Sequence, residues 1–350
     1  GVESAVPVEM YKFFQDFALD AIISIGFGDE GITAHQRDQI GYNFDKVSRA
    51  TESLWWLLPW SLSLPTKGAR ALKKSIQELH DIGNEMCRKH QEQLAKGVDT
   101  GKATGSLLRA LCEASEASED ERLSDTLVTH NVYAFMGAGN DTTSTALGHV
   151  AVMLARHRHV QERVRKEIGE IKDLTFDALM SEMPYTSAVC KETMRLFPPL
   201  WGAVGRHTTQ RVRVGGASIA KGVALIGSTW NMGVNAKVWG EDCKKFNPDR
   251  FMGGGGGGGE KINNEKNNSG LSHDLTSHDG YRALAFGGGV RSCIGKHLSV
   301  MEMKAMLFFL LKNFTLDVHD GSRPNEKHWN LAIPLIKVRP GVMIGLKCIA

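Results

Sequence analysis

Residues 124–156 form one long stretch that is apolar nearly all round. A helix of that length without a polar face belongs at the centre of a fold, buried on every side. Ser124 or Asp125 can cap its start. Gly137 and Gly139 stand in its middle, and each costs about 1 kcal/mol relative to alanine in a helix interior. Something in the fold must compensate for them.

Around this stretch the chain reads as mainly α with small β-sheets, an α+β class. The first 120 residues are largely helical. Residues 8–25 carry apolar side chains at helical spacing, and Gly26, Gly28 and Asp29 then break the pattern. Residues 69–94 form an amphipathic helix, and 100–105 are a polar loop. Helices follow over 160–171, 176–181 and 185–196, the last stopped by Pro198 and Pro199. Residues 212–214 and 223–227 read as strands, with Gly215 and Gly216 marking a turn. Residues 301–311 are helical and apolar, and the last 30 residues have strand character. Residues 253–280 open with seven glycines and continue in polar residues. That composition cannot bury a core and predicts a disordered insertion. One domain over residues 1–350 is expected.

Charge and cysteine usage narrow the function classes. A net charge of +3 on 350 residues argues against a dedicated nucleic-acid binder and leaves room for a local basic patch. The six cysteines show no C-x-x-C spacing, so free thiols in a reducing compartment are expected. No run of 18 apolar residues exists, so no membrane span is expected. Residues 54–60 hold three tryptophans and a proline, which suits a buried loop or a patch at a membrane interface.

Chemistry concentrates between residues 286 and 295. Phe286, Gly289, Arg291, Cys293 and Gly295 fit F-x-x-G-x-R-x-C-x-G at every fixed position. Glycines permit unusual dihedrals and close backbone approach. Backbone N–H groups in such a turn can stabilise a thiolate, and Arg291 can pair with a carboxylate. A glycine-rich turn with an incidental cysteine is the other reading; a phosphate loop is weaker, because no complete G-x-x-x-x-G-K-[ST] is present.

This segment resembles the haem-binding loop of the cytochrome P-450 family, and three further segments are similar to that family in the same order. Ala138 to Thr143 resembles the oxygen-activation motif [AG]-G-x-[DE]-T-[TS]. The resemblance implies that the glycines let the helix bulge and that Asp141 and Thr142 handle protons. Hydroxyls bonded back to helix carbonyls are the alternative there. Glu192 and Arg195 lie at i and i+3 on one helix face. Phe246 to Phe251 is similar to F-x-P-x-R-F, which implies a buried structural network of Glu192, Arg195 and Arg250. Arg206 stands where the family often holds a haem propionate, although an exposed strand arginine fits equally.

The resemblance implies a P-450 fold, haem b with Cys293 as the thiolate ligand, and Phe286, Gly289, Arg291, Gly295 and Arg206 around the cofactor. It implies a monooxygenase that inserts one oxygen atom of O2 into a lipophilic substrate. Electrons would come from NADPH through a flavoprotein reductase docking near Lys244, Lys245 and Lys296. Phe135, Ala138, Trp201, Ala203 and Val204 would line the substrate pocket. A peroxide isomerase or dehydratase of the same family, or a non-catalytic haem binder, are the other readings. The long helix starts earlier in this chain than in the family, and no W-x-x-x-R occurs. The chain is therefore expected to lack an N-terminal part, with membrane association, at the cytosolic face of the endoplasmic reticulum, belonging to the full-length eukaryotic protein.

Overall fold

The computed structural model describes residues 5–28, 32–50, 60–96, 107–115, 123–202, 204–252, 284–318, 329–332, 335–338 and 342–349. The proposed insertion at 253–280 and the polar loop at 100–105 lie outside them, as do residues 54–59 of the tryptophan-rich stretch. Its last residue, Trp60, is exposed. No helix among the described residues is long and apolar enough to cross a membrane.

Helices dominate. They are α1 (Met10–Ala21), α2 (Ala34–Ala50), α3 (Lys67–Ala95), α4 (Leu107–Ser115), α5 (Asp125–Arg156), α6 (Arg158–Gly169), α7 (Phe176–Ser181), α8 (Pro184–Leu196), α9 (Thr229–Gly233), α10 (Ala236–Trp239) and α11 (Lys296–Asn313). The strands are β1 (Val6–Val8), β2 (Val204–His207), β3 (Val212–Val214), β4 (Ala217–Ile219), β5 (Ala224–Gly227), β6 (Phe314–Val318), β7 (Trp329–Ala332), β8 (Leu335–Val338) and β9 (Ile344–Cys348). Among the described residues all pair antiparallel, in one three-stranded sheet of order β1-β9-β6 and three two-stranded ribbons. The mainly helical fold with small sheets is the one the sequence predicts.

Contacts divide the chain into two compact units, Gly1–Tyr11 with Thr145–Ala350, and Lys12–Ser144. Within the first unit, α8 is the hub: every residue from Tyr185 to Leu196 is buried. Glu167 of α6 caps its start, its carboxylate accepting from the backbone N–H of Tyr185 and Thr186 and from the Thr186 hydroxyl. Gln161 of α6 is fully buried and fully used. Its amide donates to the Leu154 and Leu316 carbonyls, and its oxygen accepts from Leu316 N. A buried amide satisfied on both sides ties α5, α6 and β6 into one core.

The other unit packs α1 to α4 with the first part of α5. Its centre holds Phe14, Ile23, Ile40, Leu79, Val132 and Met136. Two local expectations need correction. The helix expected from residue 8 starts at Met10, and Val8 instead closes strand β1; Pro7 cannot donate to a ladder and so sits on β1, an edge of its sheet. After α1 the helix widens into a π-helical turn over Ile22–Phe27 before Gly28 ends it. Gly215 and Gly216, both at positive φ, join β3 to β4, a strand the sequence reading did not anticipate.

Candidate functional site: the Cys293 loop and its neighbours

The segment before α11 folds as a tight turn. Gly287 and Gly289 both take positive φ (69° and 68°), where a side chain would be strained. A 3-10 turn over Gly289–Arg291 follows. Cys293 N donates to the Phe286 carbonyl at 2.8 Å and Ser292 N to the Gly289 carbonyl at 3.0 Å, which closes the loop. Cys293 emerges exposed at the end of this turn, with Arg291 exposed beside it. Gly295 is the N-cap residue of α11, and a Cβ built on it would meet the Cys293 sulfur at 4.0 Å. The sulfur therefore lies at a helix N-terminus, whose dipole favours an anion. Gly287 carries the turn as much as Gly289 does. Its position in the glycine run was the only sequence signal for it.

The residues around the thiol suit a flat apolar ring with acidic edges. Val290 is fully exposed and Ile294 is 79% exposed, on either side of Cys293. Two large apolar side chains, a thiol and a guanidinium crowded into five residues make a surface that water solvates poorly. That donor set fits haem: a thiolate for iron, apolar contact for the porphyrin, and Arg291 for a propionate.

Asp141 and Thr142 stand on α5, half-buried. The helix runs without interruption through them, so the expected bulge is absent. The cost of the two glycines is offset by packing. A Cβ at Gly137 would lie 2.8 Å from the Phe44 ring, and one at Gly139 3.0 Å from Ile22. Only glycine lets Phe44 of α2 and Ile22 of the π-helical turn come so close. The Thr142 hydroxyl donates to the Ala138 carbonyl at 2.8 Å, as Ser144 does to Asn140. Its proton is thus committed to the helix, and its lone pairs remain as acceptors.

Glu192, Arg195 and Arg250 come together in the first unit. Arg195 Nε donates to Glu192 Oε2 at 2.7 Å and Nη2 to Oε1 at 2.8 Å, with both side chains fully buried. Arg195 also donates to the carbonyls of Gly233, Cys243 and Lys245. Arg250 Nε lies 3.5 Å from Glu192 Oε1, and its Nη2 pairs with Asp242. Asn247 N donates to Glu192 Oε1 at 2.8 Å. Burial pushes the Glu192 carboxyl up, while the Arg195 guanidinium, the Asn247 N–H and Arg250 pull it down. Asp242 is held below the usual range by its hydrogen bond to Arg250. Trp239, Cys243 and Phe251 seal the network from one side. Gly233, Asp242 and the Cys243 carbonyl carried no sequence signal for this role, because each serves through backbone or through a fold-dependent approach.

The remaining candidates are more dispersed. Arg206 lies exposed on β2 and donates to the Gly205 carbonyl. Phe135 is half-buried and Ala138 exposed, both on α5. Trp201 is half-buried, its indole N–H buried with no hydrogen-bond partner among the described residues. Val204 begins β2, and Ala203 lies outside the described residues. Lys244 and Lys245 are exposed, and Lys296 opens α11, half-buried.

Comparison with known proteins bears on the fold and the family. A ganoderic acid synthetase of Ganoderma lucidum is 29% identical over 83% of this chain and 56% of its own length. A cytochrome P-450 monooxygenase of Aspergillus fumigatus is 30% identical over 76% of the chain and 46% of its own length. The chain thus spans about half the length of these two relatives. The solved structure of the retinoic acid-bound cyanobacterial CYP120A1 superposes with a TM-score of 0.77 at 22% identity, over 99% of this chain and 71% of that one, a likeness of fold. The family model described as cytochrome P-450 matches residues 2–342, almost the whole chain, and the chain belongs to the cytochrome P-450 family.

Proposed function

We propose that the chain forms the haem-thiolate centre of a monooxygenase that inserts one atom of dioxygen into a lipophilic substrate. The observation that carries this reading is the Cys293 loop, a thiol fixed by two backbone hydrogen bonds, exposed, and flanked by exposed Val290 and Ile294. When bound, haem supplies the iron that activates dioxygen. Cys293 would hold that iron as a thiolate, favoured by the N-terminus of α11. Arg291 would pair with a propionate. In this reading Asp141 would serve as a proton carrier, and Thr142, its own proton engaged by Ala138, would accept a hydrogen bond. Electrons come from a flavoprotein reductase using NADPH, which the exposed Lys244 and Lys245 and the half-buried Lys296 would meet through an acidic surface.

The decisive experiment is a reduced, carbon-monoxide difference spectrum of the chain expressed with haem, beside Cys293→Ala. A strongly red-shifted Soret band that disappears in the variant is expected. A haem-loaded chain whose band is unchanged by the substitution would overturn the ligand assignment. Turnover of an organic peroxide without NADPH would place the chain among the family's isomerases instead. Haem retention with no oxidation of any substrate would mark a non-catalytic binder.

A further inference from the structure

Two of the six cysteines, separate in sequence, meet in the fold. Cys87 is on α3 and Cys112 on α4, helices that pack against each other. The two thiols are hydrogen-bonded to one another. Both are reduced and buried, but unequally: Cys87 retains 8% of its surface, Cys112 none. The surroundings are polar. Thr129 of α5 also hydrogen-bonds Cys87, and its hydroxyl oxygen lies 2.7 Å from Asn84 Oδ1. One turn along α3 from Cys87, His90 is buried with its Nε2 unpartnered. Residues at i and i+3 share a helix face, so the His90 imidazole stands on the same side of α3 as the Cys87 thiol. The described residues hold no group of three side chains that would make this a metal site.

We propose that Cys87 and Cys112 form a reversible dithiol–disulfide site, oxidised by a small peroxide, that staples α3 to α4. The order of events follows from burial and hydrogen bonding. Of the two, only Cys87 retains any exposed surface. Its thiol is pulled down chiefly by the hydrogen bond from Cys112 and further by Thr129, against burial and the charge of Asp125. The Cys87 thiol attacks one peroxide oxygen as it releases its proton; the S–O bond forms, the O–O bond breaks, and the leaving hydroxide takes that proton to give water. The sulfenic acid that remains is attacked by the Cys112 sulfur. The S–S bond forms, the S–O bond breaks, and the hydroxyl leaves with the Cys112 proton as a second water. Two thiols and one peroxide thus give one disulfide and two waters, the sulfurs losing the two electrons that the peroxide gains. A dithiol reductant reverses the step by exchange.

The staple acts on a defined part of the fold. α4 packs against the π-helical turn Ile22–Phe27, whose Ile22 fills the space left by Gly139 on α5. Oxidation therefore stiffens the layer that supports the Asp141–Thr142 turn of α5.

The test treats the full chain with hydrogen peroxide, alkylates free thiols, and maps peptides without reduction. A Cys87–Cys112 linked peptide, lighter by two hydrogen atoms than its parts, is expected. It should vanish with dithiothreitol and be accompanied by slower amide exchange across Leu107–Ser115 and a rise in Tm of several degrees. In Cys112→Ser the link should be lost while dimedone traps a sulfenic acid at Cys87. Cys87 and Cys112 recovered separately alkylated, after the exposed Cys348 has oxidised, would overturn the proposal. So would dimedone labelling of Cys112 in Cys87→Ser at the rate seen for Cys87.

Discussion

Arg195 shows how much a single side chain can bind together. Its guanidinium meets one carboxylate twice and three carbonyls from residues 233–245. Arg195→Ala would leave Glu192 buried without its main counter-charge, at a cost of about 3–5 kcal/mol. Chemical denaturation of the variant should show that loss, and Arg195→Lys should recover little of it, because a lysine cannot make the paired contact. Gly233→Ala should be as damaging, since its Cβ would fall 2.0 Å from the Arg195 carbonyl oxygen. His149 carries a second prediction. It is fully buried on α5, stacks on Phe197, and its Nε2 meets the Ile336 carbonyl at 2.7 Å. Burial pulls it from 6.5 down to about 4, against the opposing effect of that hydrogen bond. Between those values the unfolded chain binds more protons than the folded one. Stability is therefore lost as pH falls through that window, by about 3 kcal/mol in all. Urea midpoints measured across it should fall less steeply in His149→Gln than in the parent.

At the scale of elements, α5 is the clearest case of sequence and packing answering each other. Its apolar character predicts burial, and residues 143–154 are buried without a break. Its glycines were legible as a cost but not as a purpose. Periodicity says nothing about which neighbour will approach, and only the placement of Phe44 and Ile22 shows it. Gly137→Ala should therefore destabilise, because overpacking by about 1–3 kcal/mol outweighs the gain in helix propensity of about 1 kcal/mol. Adding Phe44→Leu should return part of the loss, and a double-mutant cycle by thermal melting measures the coupling. Absence of coupling would mean that the ring does not press on the helix. Short elements were the hardest to foresee. β4, α9 and α10 span three to five residues each, too few to show a period, and they exist because the surrounding core fixes their ends.

At the scale of the molecule, an exposed thiol loop and a set of lysines on the same unit give a salt-sensitive prediction. Electron transfer from a reductase should slow as ionic strength rises, and Lys244→Glu with Lys245→Glu should slow it further and flatten the salt dependence. Stopped-flow reduction measures both, and equal rates in parent and variant would rule out these contacts. What the sequence alone determined was chemical identity. The spacing of Phe286, Gly289, Arg291, Cys293 and Gly295, with three other segments in order, identified the family, because those residue types are required locally whatever the rest of the fold does. The mainly helical class followed in the same way, since periodicity is a property of short stretches. Tertiary structure decided everything that depends on approach between distant segments. It set which carbonyls surround Arg195, what fills the space beside Gly137, that Thr142 spends its proton on its own helix, and that Cys87 faces Cys112. The five cysteines outside the Cys293 loop read as separate thiols, because a one-dimensional string records spacing along the chain, while contact is settled by how helices pack.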